Sequence, residues 1–124
     1  MPRCLSRNDL IASHYTLTGA GPLEPPRFSF EERVAAAARA GFPAIGIEAS
    51  SYAQARKDGL SDRDVRALLA EHDIVVAEIG VTAPLSVEIL STEHRALPVD
   101  EAARRAYEST RAIVQAARDQ KEQR

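Results

Sequence analysis

The sequence predicts an α/β fold with about three parallel strands and covering helices. Three apolar runs of strand type, at 10–18, 43–48 and 74–79, alternate with helix-type patterns along the chain. Helix-capping residues stand before two of the helical stretches. A strand–helix–strand–helix–strand order is typical of right-handed crossovers, which place consecutive strands parallel in one sheet.

The first predicted strand, LIASHYTLT at 10–18, is rich in apolar and β-branched residues and is expected to end near His14 to Thr16. The Gly- and Pro-rich segment GAGPLEPPR that follows predicts a loop. Its glycines do not complete a G-x-G-x-x-G pattern, so we interpret them as loop geometry rather than as a phosphate-binding turn. Arg27 closes this loop and is expected to be solvated; contact with a phosphate or a sugar acid is the alternative.

The first predicted helix has a defined beginning and end. Ser29 and Glu32 have the spacing of a capping box, in which each side chain accepts a hydrogen bond from the other residue's backbone N–H. Gly41 is placed to end the helix in the left-handed conformation. The apolar stripe at helical spacing consists of Phe30, Val34, Ala37 and Ala38.

The next two strand–helix units follow the same plan. PAIGIE at 43–48 predicts the second strand, and a short helix is expected at 52–57. Ser61 is the expected cap of the following helix, with Asp64 in the first turn, where the helix dipole favours negative charge. The continuous apolar run IVVAEI at 74–79 predicts a third strand that is buried on both faces.

The whole chain, 1–124, is expected to form a single domain. Its β/α units occupy 10–80, and residues 81–98, with two prolines and a patchy apolar pattern, predict an irregular connection with one helical turn at most. A terminal helix is expected at 99–118, either as a further cover of the sheet or as a docking surface for a partner. The polar tail at 119–124 is expected to fray.

Composition limits the classes of function. The net charge is −2 and no block of one sign is present, so no nucleic-acid partner is expected. No segment approaches the roughly 18 apolar residues of a membrane span, and the first ten residues do not resemble a signal peptide. The single cysteine, Cys4, has no partner for a disulfide or a cysteine-based zinc site. These observations predict a cytoplasmic protein without a membrane partner.

Four short segments and the opening strand carry a resemblance to a known family. The segments are Ala40–Gly41–Phe42, Gly46–Ile47–Glu48, Gly59–Leu60–Ser61 and Val76–Ala77–Glu78–Ile79. Together with SHYTLTG at 13–19, they resemble the N-terminal part of the sugar phosphate isomerases and epimerases of the xylose-isomerase-like TIM-barrel superfamily. The resemblance extends over about residues 10–80, and it depends on the ordered combination rather than on any single motif.

The resemblance implies a partial (β/α) barrel related to enzymes that move protons on a metal-bound sugar or polyol. A complete barrel needs about 250 residues, roughly twice the length of this chain. The family's Glu, Asp, His and Glu metal ligands come from later strands, so none is transferred to this sequence. A divalent metal (Mn, Mg or Zn) is therefore expected only where a complete barrel is assembled, with a homo-oligomer or a complementing chain supplying the rest.

His14, Glu48 and Glu78 are the candidate substrate-binding residues. In a TIM barrel the functional groups stand at the carboxyl ends of the strands, where these three are predicted to lie. Strand alternation predicts that Ile45 faces the helices, whereas Glu48, Val76 and Glu78 face the barrel interior. Such a group would bind hydroxyls, act as acid and base, or help to hold a hard metal ion. The alternative is that the two carboxylates are solvated strand ends without a function.

The remaining histidines do not suggest a metal motif. His72 is expected to be the C-terminal cap of a helix, where the dipole favours a protonated imidazole. His94 falls in the irregular connection and is expected to be solvated. The two are too far apart in sequence to form a metal-binding motif.

Two functions remain open at this point. The first is a sugar phosphate isomerase/epimerase-like protein that acts on a small sugar or polyol, with reduced or no activity as an isolated incomplete barrel. The second is a non-catalytic α/β domain that mediates assembly, because the edges of a small parallel sheet are prone to pair with other chains.

Overall fold

The structure is a computed structural model that describes residues 3–21, 24–77, 85–87, 89 and 91–122. The elements in chain order are β1 (Leu10–Ala12), α1 (His14–Thr18), α2 (Phe30–Ala40), β2 (Ala44–Ile45), α3 (Ala49–Lys57), α4 (Asp62–Glu71), β3 (Val75–Val76), β4 (Leu85–Val87), α5 (Thr92–Arg95) and α6 (Val99–Glu122). The predicted α/β class, a parallel sheet with covering helices, is confirmed.

The sheet has four strands in the order β3-β2-β1-β4. All of its pairings are parallel, and Ile11 lies opposite Ala44 in the register of β1 and β2. The three expected strands are therefore neighbours in chain order. The fourth strand adds to the other edge of β1.

β4 was not expected, because it lies inside the segment predicted to be an irregular connection. Its three residues pair with β1, with Leu10 opposite Leu85. A strand this short, between prolines, gives no period that can be recognised in the sequence. The free edge of β1, which is distant in sequence, supplies its partner. The single helical turn predicted in the same segment is present as α5.

The end of the first strand differs from the prediction. β1 ends at Ala12, and His14–Thr18 forms the short helix α1 instead of continuing the strand. The ladder between β1 and β2 ends where the Gly46 N–H donates to the Ala12 carbonyl, at 2.8 Å. Beyond that point Thr16 and Thr18, although β-branched, belong to no described strand ladder. A left-handed Gly19 ends the helical turn in which they lie.

The predicted helix caps are confirmed. Ser29 with Glu32, and Ser61 with Asp64, each form a complete capping box. Gly41 ends α2 with a φ of 104° and donates its N–H to carbonyls of the last turn. The C-terminal cap position of α4 is occupied by His72, as predicted.

Two helices are longer than predicted. α3 begins at Ala49 rather than near residue 52. α6 continues to Glu122 through the tail that was expected to fray, and there the Gln115 side chain donates to Asp119, at 2.9 Å. Such i,i+4 pairs support a polar helix without core contacts. Among the described residues, α6 included, no helix is both long and apolar enough to cross a membrane.

The core lies between the sheet and the pair α2 and α6. Small residues on both helices allow close approach, and the rings of Phe42 and Tyr107 meet edge to face with centroids 5.1 Å apart. The buried members of this cluster are Leu10, Ala12, Leu17, Phe30, Val34, Ala36, Ala37, Phe42, Ile45, Ala55, Val65, Ile74, Ala103 and Ala106. Ile45 therefore faces the helices, as predicted.

β3 contradicts the prediction of a strand buried on both faces. Val76 is 44% exposed, because among the described strands β3 lies at the edge of the sheet and pairs with β2 alone. Its register partner is Ile45, which packs among the helices, so Val76 belongs to that face and not to the predicted interior.

Two glycine substitutions test the contact between α2 and α6. Gly41 and Gly59 have nearly the same φ, 104° and 105°, but a Cβ at Gly41 would lie 3.1 Å from the Tyr107 ring, whereas one at Gly59 meets nothing within 4 Å. We expect Gly59→Ala to cost about 1–2 kcal/mol of unfolding free energy through the backbone alone. Gly41→Ala should cost about 1 kcal/mol more. Urea unfolding followed by circular dichroism measures the unfolding free energy of both variants. Equal losses would contradict the close contact between Gly41 and the Tyr107 ring.

Candidate functional site

The candidate site lies where β1 and β2 end side by side. Parallel neighbours bring their carboxyl ends to one edge of the sheet. The backbones are close here, because a Cβ added at Gly46 would lie 3.4 Å from Ser13 Cα and from the His14 nitrogen. The segments that carry His14 and Glu48 therefore pass within van der Waals reach of each other beside Gly46.

His14 contacts Glu48 through both ring nitrogens. The imidazole is nearly buried, and its Nδ1 accepts the backbone N–H of Glu48 at 3.4 Å. Its Nε2 lies 3.9 Å from Glu48 Oε2. Because an accepting nitrogen carries no proton, this geometry assigns the proton of the neutral ring to Nε2.

The surroundings of His14 favour its neutral form. Burial is the largest effect and lowers the pKa of His14 below its usual value, and the positive charge of Arg33 lowers it further. The carboxylate of Glu48 acts in the opposite direction but is the smallest of the three effects. The contact between His14 and Glu48 is therefore one between a neutral imidazole and a carboxylate rather than an ion pair.

Glu48 occupies the N-terminal cap position of α3, and its side chain is 43% exposed. Its Oε1 accepts a hydrogen bond from the Tyr15 hydroxyl, and its Oε2 accepts one from Ser50 at 3.4 Å. The positive end of the helix dipole favours a carboxylate at this position. Glu48 is thus held in a fixed direction while one side of it remains open to solvent.

A cavity of about 290 Å³ opens onto this pair. Its lining combines the two candidate residues with hydroxyls and prolines: His14, Tyr15, Glu24, Pro25, Pro26, Glu48, Ser50, Ser51 and Gln54. The imidazole Nε2–H is a hydrogen-bond donor, and the carboxylate is an acceptor and a potential base. The arrangement is therefore able to bind hydroxyl groups and to take up or release a proton.

The structure brings together two of the three predicted site residues. His14 and Glu48 are in contact, although His14 projects from α1 and not from the strand itself. Glu78 lies outside the described residues, so its part in the site stays a prediction. His94 was expected to be solvated, and this is wrong: it is 8% exposed, and its Nε2 lies 2.9 Å from the Thr16 carbonyl oxygen.

Within the described part of the chain, no group of three His, Cys, Asp or Glu side chains is arranged to hold a metal ion. His14 and Glu48 supply one nitrogen and one carboxylate, whereas zinc takes about four ligands and calcium or magnesium about six. These two residues alone do not fit a divalent metal.

Arg33 and Ser51 were not predicted from the sequence. Arg33 is 5% exposed, and its Nη2 donates at 2.8 Å to Oγ of Ser51, which lines the cavity. The signal was present, because Arg33 stands three residues after Phe30 and four before Ala37, inside the apolar stripe of α2. A charged residue within such a stripe indicates a buried cation.

Searches against protein-family models and against curated protein sequences each found no match. The interpretation of the site therefore depends on its geometry.

The lowered pKa of His14 predicts how stability depends on pH. Because the folded state keeps His14 neutral below its unfolded pKa of about 6.5, the unfolded state binds the proton more readily. The stability that the neutral His14 contributes is complete above pH 6.5 and is lost as the pH falls through the pKa of His14 in the folded state. We expect His14→Gln to reduce the loss of unfolding free energy between pH 7.5 and pH 5. An imidazole of His14 that titrates at or above pH 6.5 in an NMR experiment would contradict this prediction.

Proposed function

We propose that the chain is a sugar phosphate isomerase/epimerase-like protein of the xylose-isomerase-like kind, forming an incomplete barrel with reduced or no activity on its own. The observation that carries the proposal is the adjacency of a neutral imidazole and a hydrogen-bonded carboxylate at the ends of neighbouring parallel strands. The resemblance of residues 10–80 to that family gives the same location for the site.

The roles in this proposal follow from the protonation states. Glu48, as carboxylate, removes a proton from the carbon next to the sugar carbonyl, which leaves an enediolate, and returns that proton to the former carbonyl carbon. The hydroxyl proton of the first carbon moves to the other oxygen, so that aldose and ketose interconvert without net loss of a proton. His14, whose Nε2 carries the proton, donates a hydrogen bond to the oxygen on which negative charge develops. Tyr15 holds the carboxylate in place. A positioned acid or base of this kind contributes about 10²–10⁴-fold to a rate.

The strand order supports a partial barrel. β1, β2 and β3 are parallel neighbours in chain order, as the strands of a barrel are. In this proposal the edge of β3 that no described strand pairs receives the missing strands from a second copy or a complementing chain, while β4 covers the edge of β1 where a closing strand would pair. A divalent metal would require ligands from that missing part, and we derive no step through it.

Ligand binding tests the site. We expect a sugar phosphate to shift the His14 imidazole signals of the oligomeric protein in NMR spectra. Glu48→Gln should weaken this binding about tenfold or more, because a charged acceptor for sugar hydroxyls is lost. Any deuterium exchange at the carbon next to the carbonyl should fall by about 10²-fold or more in the same variant.

The matched control is Glu71→Gln, which removes an exposed carboxylate from α4 away from the cavity. This variant should bind the sugar phosphate as the wild-type protein does. If Glu48→Gln and His14→Gln also leave binding unchanged, the assignment of the site is wrong.

Assembly without catalysis is the second candidate function, and an exposed apolar side chain on an edge strand favours it. Val76 is 44% exposed on the edge of β3 that no described strand pairs. An open strand edge offers unpaired backbone groups that another chain is able to extend. In this case the edge of β3 is the interface, and the cavity beside His14 has no substrate.

Light scattering on a sizing column tests self-association at the edge of β3, which both candidate functions include. We expect a defined dimer or larger oligomer, and we expect Val76→Lys to shift it toward the monomer because the charge blocks edge pairing. Ile113→Lys makes the same change away from the sheet and should leave the mass unchanged. A folded wild-type monomer would contradict self-assembly at the edge of β3.

A further inference from the structure

Arg33 is a buried cation without a carboxylate partner. Its side chain projects from α2, and the residue is 5% exposed. Its Nη2 donates to Ser51 Oγ at 2.8 Å and its Nε to the Ser29 carbonyl at 3.3 Å. Among the ion pairs of the described residues, none includes Arg33. The other N–H groups of its guanidinium donate to no described acceptor.

This arrangement is costly for the protein alone. A buried charge is ordinarily paired, because its removal from water is otherwise uncompensated. Burial lowers the pKa of Arg33 to about 10, which still leaves it protonated at neutral pH. Its charge reaches His14, whose pKa it lowers. The cation therefore persists in the folded chain without an ion pair among the described residues, and the charge of Glu31 and the Phe30 ring, 5.7 Å away, offset its burial only in part.

Arg33 lines a second cavity, of about 250 Å³, beside the one at His14. The two cavities share a wall formed by Pro25, Pro26, Ser51 and Gln54. Arg27 also lines the second cavity, with its guanidinium 5.0 Å from the centre of the Phe28 ring and one N–H donated to the Arg95 carbonyl. Two guanidinium groups thus border one small space.

Asp58 is the acidic residue that lines the same cavity. Its carboxylate is exposed and accepts a hydrogen bond from the Gln54 side chain at 2.9 Å, so it is directed toward its own helix end. It forms no ion pair with either arginine within the described residues. The two arginines outnumber this carboxylate, and the cavity favours a negatively charged occupant.

We propose that this second cavity is an oxyanion-binding site, in which Arg33 and Ser51 bind a phosphate or carboxylate group and Arg27 closes over it. The planar fork of a guanidinium matches two oxygens of either group. The Ser51 hydroxyl, which accepts from Arg33, keeps its own proton to donate to the anion. The site does not depend on the proposed isomerase function, because its residues differ from His14 and Glu48.

Titration with inorganic phosphate tests the site in the full chain. We expect phosphate, at constant ionic strength against chloride, to shift the Arg33 Nε–H and Ser51 amide signals in ¹H–¹⁵N NMR spectra. Acetate in a parallel titration shows whether a carboxylate is preferred. Arg33→Gln should raise the dissociation constant of the preferred anion about tenfold or more.

Arg39→Gln is the matched control, since it removes a positive charge from the same helix at an exposed position that is paired with Asp100. It should leave anion binding within about twofold of the wild-type protein. If Arg33→Gln fails to fold, titration of the Ser51→Ala variant and of the wild-type protein tests whether the cavity binds the anion. The proposal is overturned if neither anion moves the Arg33 and Ser51 signals more than chloride does, or if Arg39→Gln weakens binding as much as Arg33→Gln.

Discussion

The pairing of β1 on both of its edges is the constraint on which the rest of the structure depends. Only three residues, Leu10–Ala12, connect β2 on one side with β4 on the other. Their side chains are almost completely buried, so an error in register would expose the core side of the strand. The same strand also determines where α1 begins, and with it the position of His14. Sheet pairing and site geometry therefore rest on one short segment.

The charged groups near the strand ends form one electrostatic unit. Burial first, and then the charge of Arg33, favour the neutral form of His14, which leaves Nδ1 free to accept the Glu48 backbone N–H. The Glu48 carboxylate itself is held by the Tyr15 hydroxyl and by Ser50. An anion beside Arg33 would offset its charge and so relax its effect on the imidazole. Under the proposed anion binding, occupancy of that cavity would therefore raise the proton affinity of His14 at the other.

Local signals in the sequence predicted the features that depend on local chemistry. The capping box at Ser29, the cap at Ser61 and the left-handed Gly41 follow from residues a few positions apart, and the parallel arrangement follows from the alternation of strands and helices. The features that were missed depend on distant partners: β4 exists because β1 has a free edge, and α1 replaces strand because the ladder with β2 stops. Within the site, His14 and Glu48 were predicted from their strand-end positions, whereas Arg33 was missed although it lies inside the apolar stripe of α2.

The 24 residues of α6 make it much longer than the layer that it covers. At about 1.5 Å per residue the helix spans roughly 36 Å, but its buried residues, Ala102, Ala103 and Ala106, all lie in the first third. The stretch after Arg111, whose side chain donates to the Asn8 carbonyl, has mostly exposed side chains. Its stability is consequently graded along the axis. Amide hydrogens near Glu122 should exchange through local unwinding, and those near Ala103 only when the sheet itself opens.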